Sequence, residues 1–185
     1  MDSRIRDLLF EIEEFAKNNF MFNIPREGGE LLNLIVNIRK PKKILEIGTS
    51  NGYSTIWLGM EGYEVYTIEI DKEKIKLARE NFKKAGLKKI KILEDNALET
   101  LPKLKEKFDF VFLDAIKKDY LNYFKLINFD ENAVVIADNI ITHEKQVKEY
   151  VEYVRKNHKS YFLDIGNGME VTIVNNTNNK HRFIN

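Results

Sequence analysis

Apolar residues recur along this chain with two different periods, and the alternation between them predicts its architecture. Over residues 3–18, Ile5, Leu8, Leu9, Ile12 and Phe15 fall on one helical stripe; a second stripe of Leu31, Leu34, Ile35 and Ile38 ends at Pro41. Residues 19–25 break the periodicity between them. From residue 44 onward, short apolar runs of strand character alternate with helical patterns. The runs are 44–47, 64–70, 90–93, 108–114, 133–139, 161–165 and 170–174. Between them, 55–60 reads as a first crossover helix, and Ile75, Ala78, Phe82 and Ala85 mark a second that stops at Gly86. Tyr120, Tyr123, Phe124 and Ile127 give another, and Val147, Tyr150, Val151 and Val154 the last. Gly166-Asn167-Gly168 is a short turn, so the final two runs form an antiparallel pair. The expected fold is α/β: a doubly wound, seven-stranded, Rossmann-like sheet with a reversed last strand.

Size and composition narrow the function classes without choosing one. A chain of 185 residues is a single domain by size, with N-terminal helices over 1–40, the alternating core over 41–174 and an Asn-rich tail over 175–185. Hydrophobic residues at 43% and charged residues at 32% fit a soluble protein. No apolar run reaches membrane-span length, and Met1-Asp2-Ser3-Arg4 begins no secretory signal, so the expected compartment is the cytoplasm. The absence of Cys removes thiolate metal sites and a cysteine nucleophile, and three scattered His argue against zinc. Any metal must therefore be held by oxygen. A net charge of +1 gives no global attraction to nucleic acid or membrane. The local exception is Lys83, Lys84, Lys88, Lys89 and Lys91, a basic cluster that reads either as a solvated face or as a contact for RNA.

The chemistry centres on Ile44-Leu45-Glu46-Ile47-Gly48-Thr49-Ser50-Asn51-Gly52-Tyr53-Ser54, a strand, a glycine turn and a helix start. Gly48 lets the backbone approach a ligand, and the amides opening the next helix favour a negative group. The spacing is not the GxGxxG of dinucleotide sites, which makes NAD the weaker reading. An acidic residue two positions before the first glycine suits a ligand's ammonium. Any strand–glycine–helix junction of an α/β protein could also look this way. Glu69 lies twenty-one residues past Gly48, near the separation at which such folds place a carboxylate on ribose hydroxyls, and Asp71 beside it is the better helix cap.

This turn resembles the first motif of S-adenosylmethionine (SAM)-dependent methyltransferases, and Gly52-Tyr53-Ser54 brings it nearest the metal-dependent catechol and caffeoyl-CoA O-methyltransferases. Leu-Asp-Ala-x-Lys-x-x-Tyr over 113–120 and Ala-Asp-Asn over 137–139 resemble that family's pair of metal-binding segments. The resemblance spans about residues 25–174. It implies SAM as cofactor, with Glu46 on the methionine ammonium, Gly48 at close backbone approach, Ser54 on the carboxylate and Tyr53 at the methyl pocket. Glu69 would hold the ribose, and Asp95 and Asn96 the adenine. Residues 21–23 would lie over cofactor and substrate.

Asp114 ends one strand and Asp138-Asn139 its neighbour, where open α/β sheets bind ligands. Two carboxylates and an amide suit Mg²⁺, or Ca²⁺ or Mn²⁺, and on the family match Asp114, Asp138 and Asn139 are the ligands. Lys117 matches the lysine that assists deprotonation of the acceptor hydroxyl. It forms the catalytic pair with Asp114, which also borders the cofactor. Glu170 aligns loosely with an acceptor-orienting acid. Each position also has a structural alternative: Glu46 could pair with Lys42 or Lys43, Asp95-Asn96 could be turn chemistry, and Lys117 could be a surface lysine. The function expected is methyl transfer to a hydroxyl of a small aromatic, catechol-like acceptor by a homodimer. A tRNA wobble-uridine O-methyltransferase and a non-catalytic SAM-binding protein are the alternatives.

Overall fold

The computed structural model describes residues 2–175. The tail expected beyond residue 175 lies outside the described residues. The chain runs α1 (Ser3–Asn18), α2 (Arg26–Arg39), β1 (Ile44–Ile47), α3 (Tyr53–Gly59), β2 (Val65–Glu69), α4 (Lys72–Ala85) and β3 (Ile90–Glu94). It continues with α5 (Ala97–Thr100), β4 (Phe108–Leu113), α6 (Tyr120–Leu126), β5 (Phe129–Ala137), α7 (Glu144–Asn157), β6 (Lys159–Leu163) and β7 (Met169–Ile173). The strands form one sheet in the order β3-β2-β1-β4-β5-β7-β6. β1 to β5 are parallel, and β7 runs antiparallel to both β5 and β6. This is the doubly wound sheet with a reversed last strand that the alternation of patterns predicts.

Side-chain parity along the strands sorts the core into two layers. Ile44, Phe110, Phe112, Val134 and Ile136 pack beneath α1 to α4, while Leu45, Ile47, Val111, Leu113 and Val135 pack beneath α5 to α7. Both layers are apolar, which is why the central strands read as continuous hydrophobic runs. Among the described residues no helix is long and apolar enough to cross a membrane.

Three local expectations need correction. On α2 the buried positions are Gly28, Gly29, Leu32 and Val36, whereas Leu34 and Ile38 are 56% and 71% exposed. A Cβ at Gly29 would run into the Trp57 indole, so the glycine face is the one that lets α2 settle on α3. On α1, Ala16 is buried and Phe15 is exposed. Strand β5 starts at Phe129 instead of residue 133, because the polar Asp130-Glu131-Asn132 hides a bulge: Phe108 pairs with Phe129, but Phe110 already pairs with Val134.

Candidate active site

The carboxyl ends of β1, β2, β3 and β4 open into one crevice of about 500 Å³, at the point where strand order reverses between β1 and β4. Gly48 sits at the exit of β1 with φ +103°, and a Cβ there would collide with the carbonyl oxygen of Asp114. Only a glycine lets the turn pass this close to the end of β4, which is how the two segments come to share a wall. Ser54, Glu69, Asp95, Asn96 and Lys117 line the same crevice.

Glu69 is held at the end of β2 by three backbone amides: Ser50 N–H donates to Oε2 at 2.9 Å, and Ile70 and Asp71 N–H donate to Oε1 at 2.9 and 3.0 Å. Its carboxylate is thereby fixed while lone pairs remain for hydroxyl donors. Asp71 caps α4, accepting from the amides of Glu73 and Lys74, which is the helix cap the sequence suggests. Asp95 Oδ1 accepts from Asn96 N–H, and Asn96 Oδ1 caps α5 by accepting from Leu98 N–H. Part of each side chain's capacity is therefore spent on the turn.

Glu46 stands elsewhere than the ammonium contact requires. It shares side-chain parity with Ile44 and points beneath the turn, fully buried and outside the crevice wall. Neither Lys42 nor Lys43 is its partner. Ser54 Oγ and Thr55 Oγ1 each donate to it at 2.5 Å and Thr67 Oγ1 at 2.6 Å. Burial pushes its carboxyl up to about 7, against the opposing effect of the three hydroxyls and with a small addition from Asp114. Tyr53 lines the crevice, but its phenol donates to Glu13 Oε1 at 2.5 Å, and Glu13 Oε2 accepts from Arg26 at 2.9 Å. Burial, with Glu13 adding to it, pushes the Tyr53 phenol up.

At the far wall Lys117 Nζ donates to Asp114 Oδ1 at 2.9 Å. Burial raises the Asp114 carboxyl above its ordinary range against the pull of Lys117. Asp138 and Asn139, at the end of β5, are buried outside the crevice wall. The Asp138 carboxyl is pushed up to about 6, first by burial and then by the charge of Asp114. Asp138 Oδ1 and Asn139 Oδ1 are both buried with no hydrogen-bond partner, while Asn139 Nδ2 donates to Thr142 Oγ1 at 3.2 Å. Asn139 also holds φ 67°, a left-handed backbone that Asn tolerates better than most residues. Among the described residues no three His, Cys, Asp or Glu side chains gather as a metal-binding group. A cation here would have to take a third protein oxygen from the Asn139 amide. Two acids and two unfilled buried oxygens are a donor set that fits a hard cation.

The family model described as O-methyltransferase matches residues 3–170. This chain belongs to that family. Among similar members of the O-methyltransferase family is catechol O-methyltransferase B of Danio rerio, 32% identical over 170 residues that cover 84% of this chain and 63% of the relative. Catechol O-methyltransferase of Niastella koreensis is 34% identical over 131 residues, 65% of this chain and 59% of that one. The chain thus spans about three fifths of the length of these curated relatives. Among solved structures, the O-methyltransferase from Bacillus cereus in complex with SAH superposes with a TM-score of 0.82 at 26% identity, covering 95% of this chain and 92% of that one.

Within this O-methyltransferase fold, three features escape sequence reasoning. Asn167, in the hairpin turn, donates to Asp138 Oδ2 at 3.4 Å, a contact that only the reversed β7 can bring about. Glu170 is fully buried away from the crevice, where Arg155 holds it in a two-point ion pair and Ser160 donates to it, so it anchors α7 to the sheet instead of meeting an acceptor. Asn51 carries a buried side-chain N–H with no partner.

Proposed function

We propose that this chain transfers a methyl group from SAM to a hydroxyl oxygen of a small, largely apolar aromatic acceptor, with a divalent cation at Asp114, Asp138 and Asn139. The observation that carries this reading is the Lys117–Asp114 pair on one wall of the crevice, beside two buried oxygens without partners, opposite the amide-held Glu69. Glu69 accepts the ribose hydroxyls, and Gly48 leaves room for the amino acid end beside it. A bound divalent cation would lower the pKa of a coordinated hydroxyl and orient two adjacent acceptor oxygens. Lys117, held by Asp114, would act as the base in its neutral amine form: having first released its own proton to solvent, Nζ has a lone pair to take the proton leaving the acceptor oxygen. The methyl passes to that oxygen in line, and the electron pair of the broken carbon–sulfur bond stays on sulfur. Most of the acceleration left to the protein is positioning.

The acceptor's character is supported by the mouth of the crevice, where Phe20 and Phe22 are 87% and 91% exposed and Ile116 also faces solvent. Aromatic rings left this bare at the rim of a polar cleft suit a flat apolar partner. The tRNA reading draws no support from the lysine cluster. Lys88 and Lys89 precede the amino end of β3 and Lys83 and Lys84 lie in the last turn of α4, at the opposite end of the sheet from the crevice, while Lys91 is bonded to Glu64 and Tyr66.

Radiolabelled methyl from SAM is expected to appear on a catechol within a panel of phenols, to be lost in EDTA and to return with Mg²⁺. Chelator-insensitive transfer would remove the metal from this reading, and labelling of tRNA in place of phenols would replace the acceptor. The connection between β6 and β7, residues 164–168, is too short to close over the mouth, so we also propose a homodimer whose second copy completes the acceptor pocket. Sedimentation at micromolar concentration is expected to give twice the 21.8 kDa chain mass, and a monomer would overturn it.

A further inference from the structure

We infer that the side-chain amide of Asn51 binds the carboxylate of the cofactor's amino acid end. This rests on the SAM reading above and adds to it a residue and a specificity. Asn51 lies inside the turn between Gly48 and Gly52, is 1% exposed and forms part of the crevice wall. Its position is fixed from both sides. Oδ1 accepts from Tyr53 N–H at 3.2 Å, and its main-chain carbonyl accepts from Asn81 Nδ2 at 2.9 Å. With the oxygen end of the amide committed, the nitrogen end has its orientation set, and Nδ2 is buried with no acceptor.

A buried donor left without a partner is costly, and native interiors rarely leave one. Among the described residues no group accepts from it, and the hydroxyl and carboxyl groups of the turn are bonded to one another instead. Both oxygens of Glu46 are occupied by the hydroxyls of Ser54, Thr55 and Thr67, and Thr49 Oγ1 is paired with Thr67 Oγ1. Around the turn, hydroxyl and carboxyl groups are matched to one another, and an amide N–H is left over. What the crevice lacks at this point is an acceptor. Asn23, on the segment between α1 and α2 that also lines the crevice, has a second buried side-chain N–H without a partner. Of the two charged groups on a methionine-type ligand, the ammonium can only donate, so the carboxylate is the one that fits an amide N–H. The assignment adds to Ser54, on the same crevice wall, the residue three positions before it.

The test is calorimetric binding of two ligands to wild type and to Asn51→Asp: S-adenosylhomocysteine, which carries the amino acid end, and 5′-methylthioadenosine, which keeps the nucleoside and the sulfur but lacks it. The substitution retains Oδ1 for Tyr53 N–H and replaces the free N–H₂ with a carboxylate oxygen that can only accept and that carries negative charge, so Asn51→Ala, which removes the donor without adding charge, is measured beside it. S-adenosylhomocysteine affinity is expected to fall about ten- to a hundred-fold, the range for a hydrogen bond to a charged group, while methylthioadenosine affinity stays within about two-fold. An unchanged or tighter S-adenosylhomocysteine affinity would overturn the assignment. Equal losses for both ligands would also overturn it, since they would mark a purely structural role. Asn51→Ala, read in the same way, stands alone if the aspartate variant does not fold. Wild-type protein that binds neither ligand would instead refute the SAM reading, and the inference with it.

Discussion

Replacing Asp138 with alanine is expected to lower cation-supported methyl transfer about a thousand-fold at saturating Mg²⁺, without lowering the melting temperature of the metal-free protein. The first figure follows from losing a charge-stabilising contribution of several kcal/mol at roughly 1.4 kcal/mol per factor of ten. The second follows from what Asp138 does in the absence of a cation. Its carboxyl is pushed up to about 6 by burial and by Asp114, and its single side-chain partner is Asn167 at 3.4 Å. A folded-state pKa above the ordinary 3.8 means that this group's contribution is intact below about pH 4 and is lost as the pH rises through 6. At neutral pH the alanine variant therefore sheds an unfavourable buried charge while losing little bonding. Calorimetric melts in EDTA and in Mg²⁺ check both halves. Wild type should rise with Mg²⁺ and the variant should not; a variant that melts well below wild type in EDTA would show Asp138 to be a structural acid.

Glu46→Gln is expected to change the pH dependence of stability more than any other single substitution in the turn. With a folded-state pKa of about 7 against an ordinary 4.5, Glu46 keeps its proton in the folded protein while the unfolded chain releases it. Its stabilisation is fully present below pH 4.5 and disappears as the pH rises through 7. Across that window wild type should lose about 3 kcal/mol relative to the glutamine variant, at roughly 1.4 kcal/mol per pH unit of displacement. Urea unfolding at pH 4.5, 6 and 7.5 in EDTA measures the difference, and parallel stability curves for the two proteins would refute it. Glutamine keeps one acceptor oxygen for the hydroxyls on one side, and its amide N–H₂ can donate to a hydroxyl oxygen on the other, so the buried contacts survive with one of them reversed.

Much of this was readable before any coordinates, because it depends on spacing along the chain. Continuous apolar runs mark the central strands, Gly86 marks the end of α4 in a left-handed cap, and the place of Glu69 follows from its distance to Gly48. Side-chain direction was harder to read. Nothing in Glu46-Ile47-Gly48 states that β1 enters the sheet with Glu46 facing α3 instead of the crevice; that depends on register with Thr67 and on the hydroxyls waiting at Ser54 and Thr55. Helix α2 carries apolar residues on two sides, and which side is buried is decided by how closely Gly29 approaches Trp57 and Gly28 approaches Met169. Glu170 matched an expected acid in sequence but not in space, since β7 turns it toward Arg155. Asn51 was passed over because an asparagine in a glycine turn looks like ordinary turn chemistry until its bonds are accounted for.

Glu13 holds the Tyr53 phenol with one carboxylate oxygen and Arg26 with the other, tying the first helix, the start of the second and the glycine-turn helix into a single frame. The strip bearing Phe20 and Phe22 is thus a bridge clamped at both abutments. Its two bare rings can be exchanged for other shapes without slackening either anchorage, so with the acceptor site proposed above, a change of acceptor preference is open to two codons.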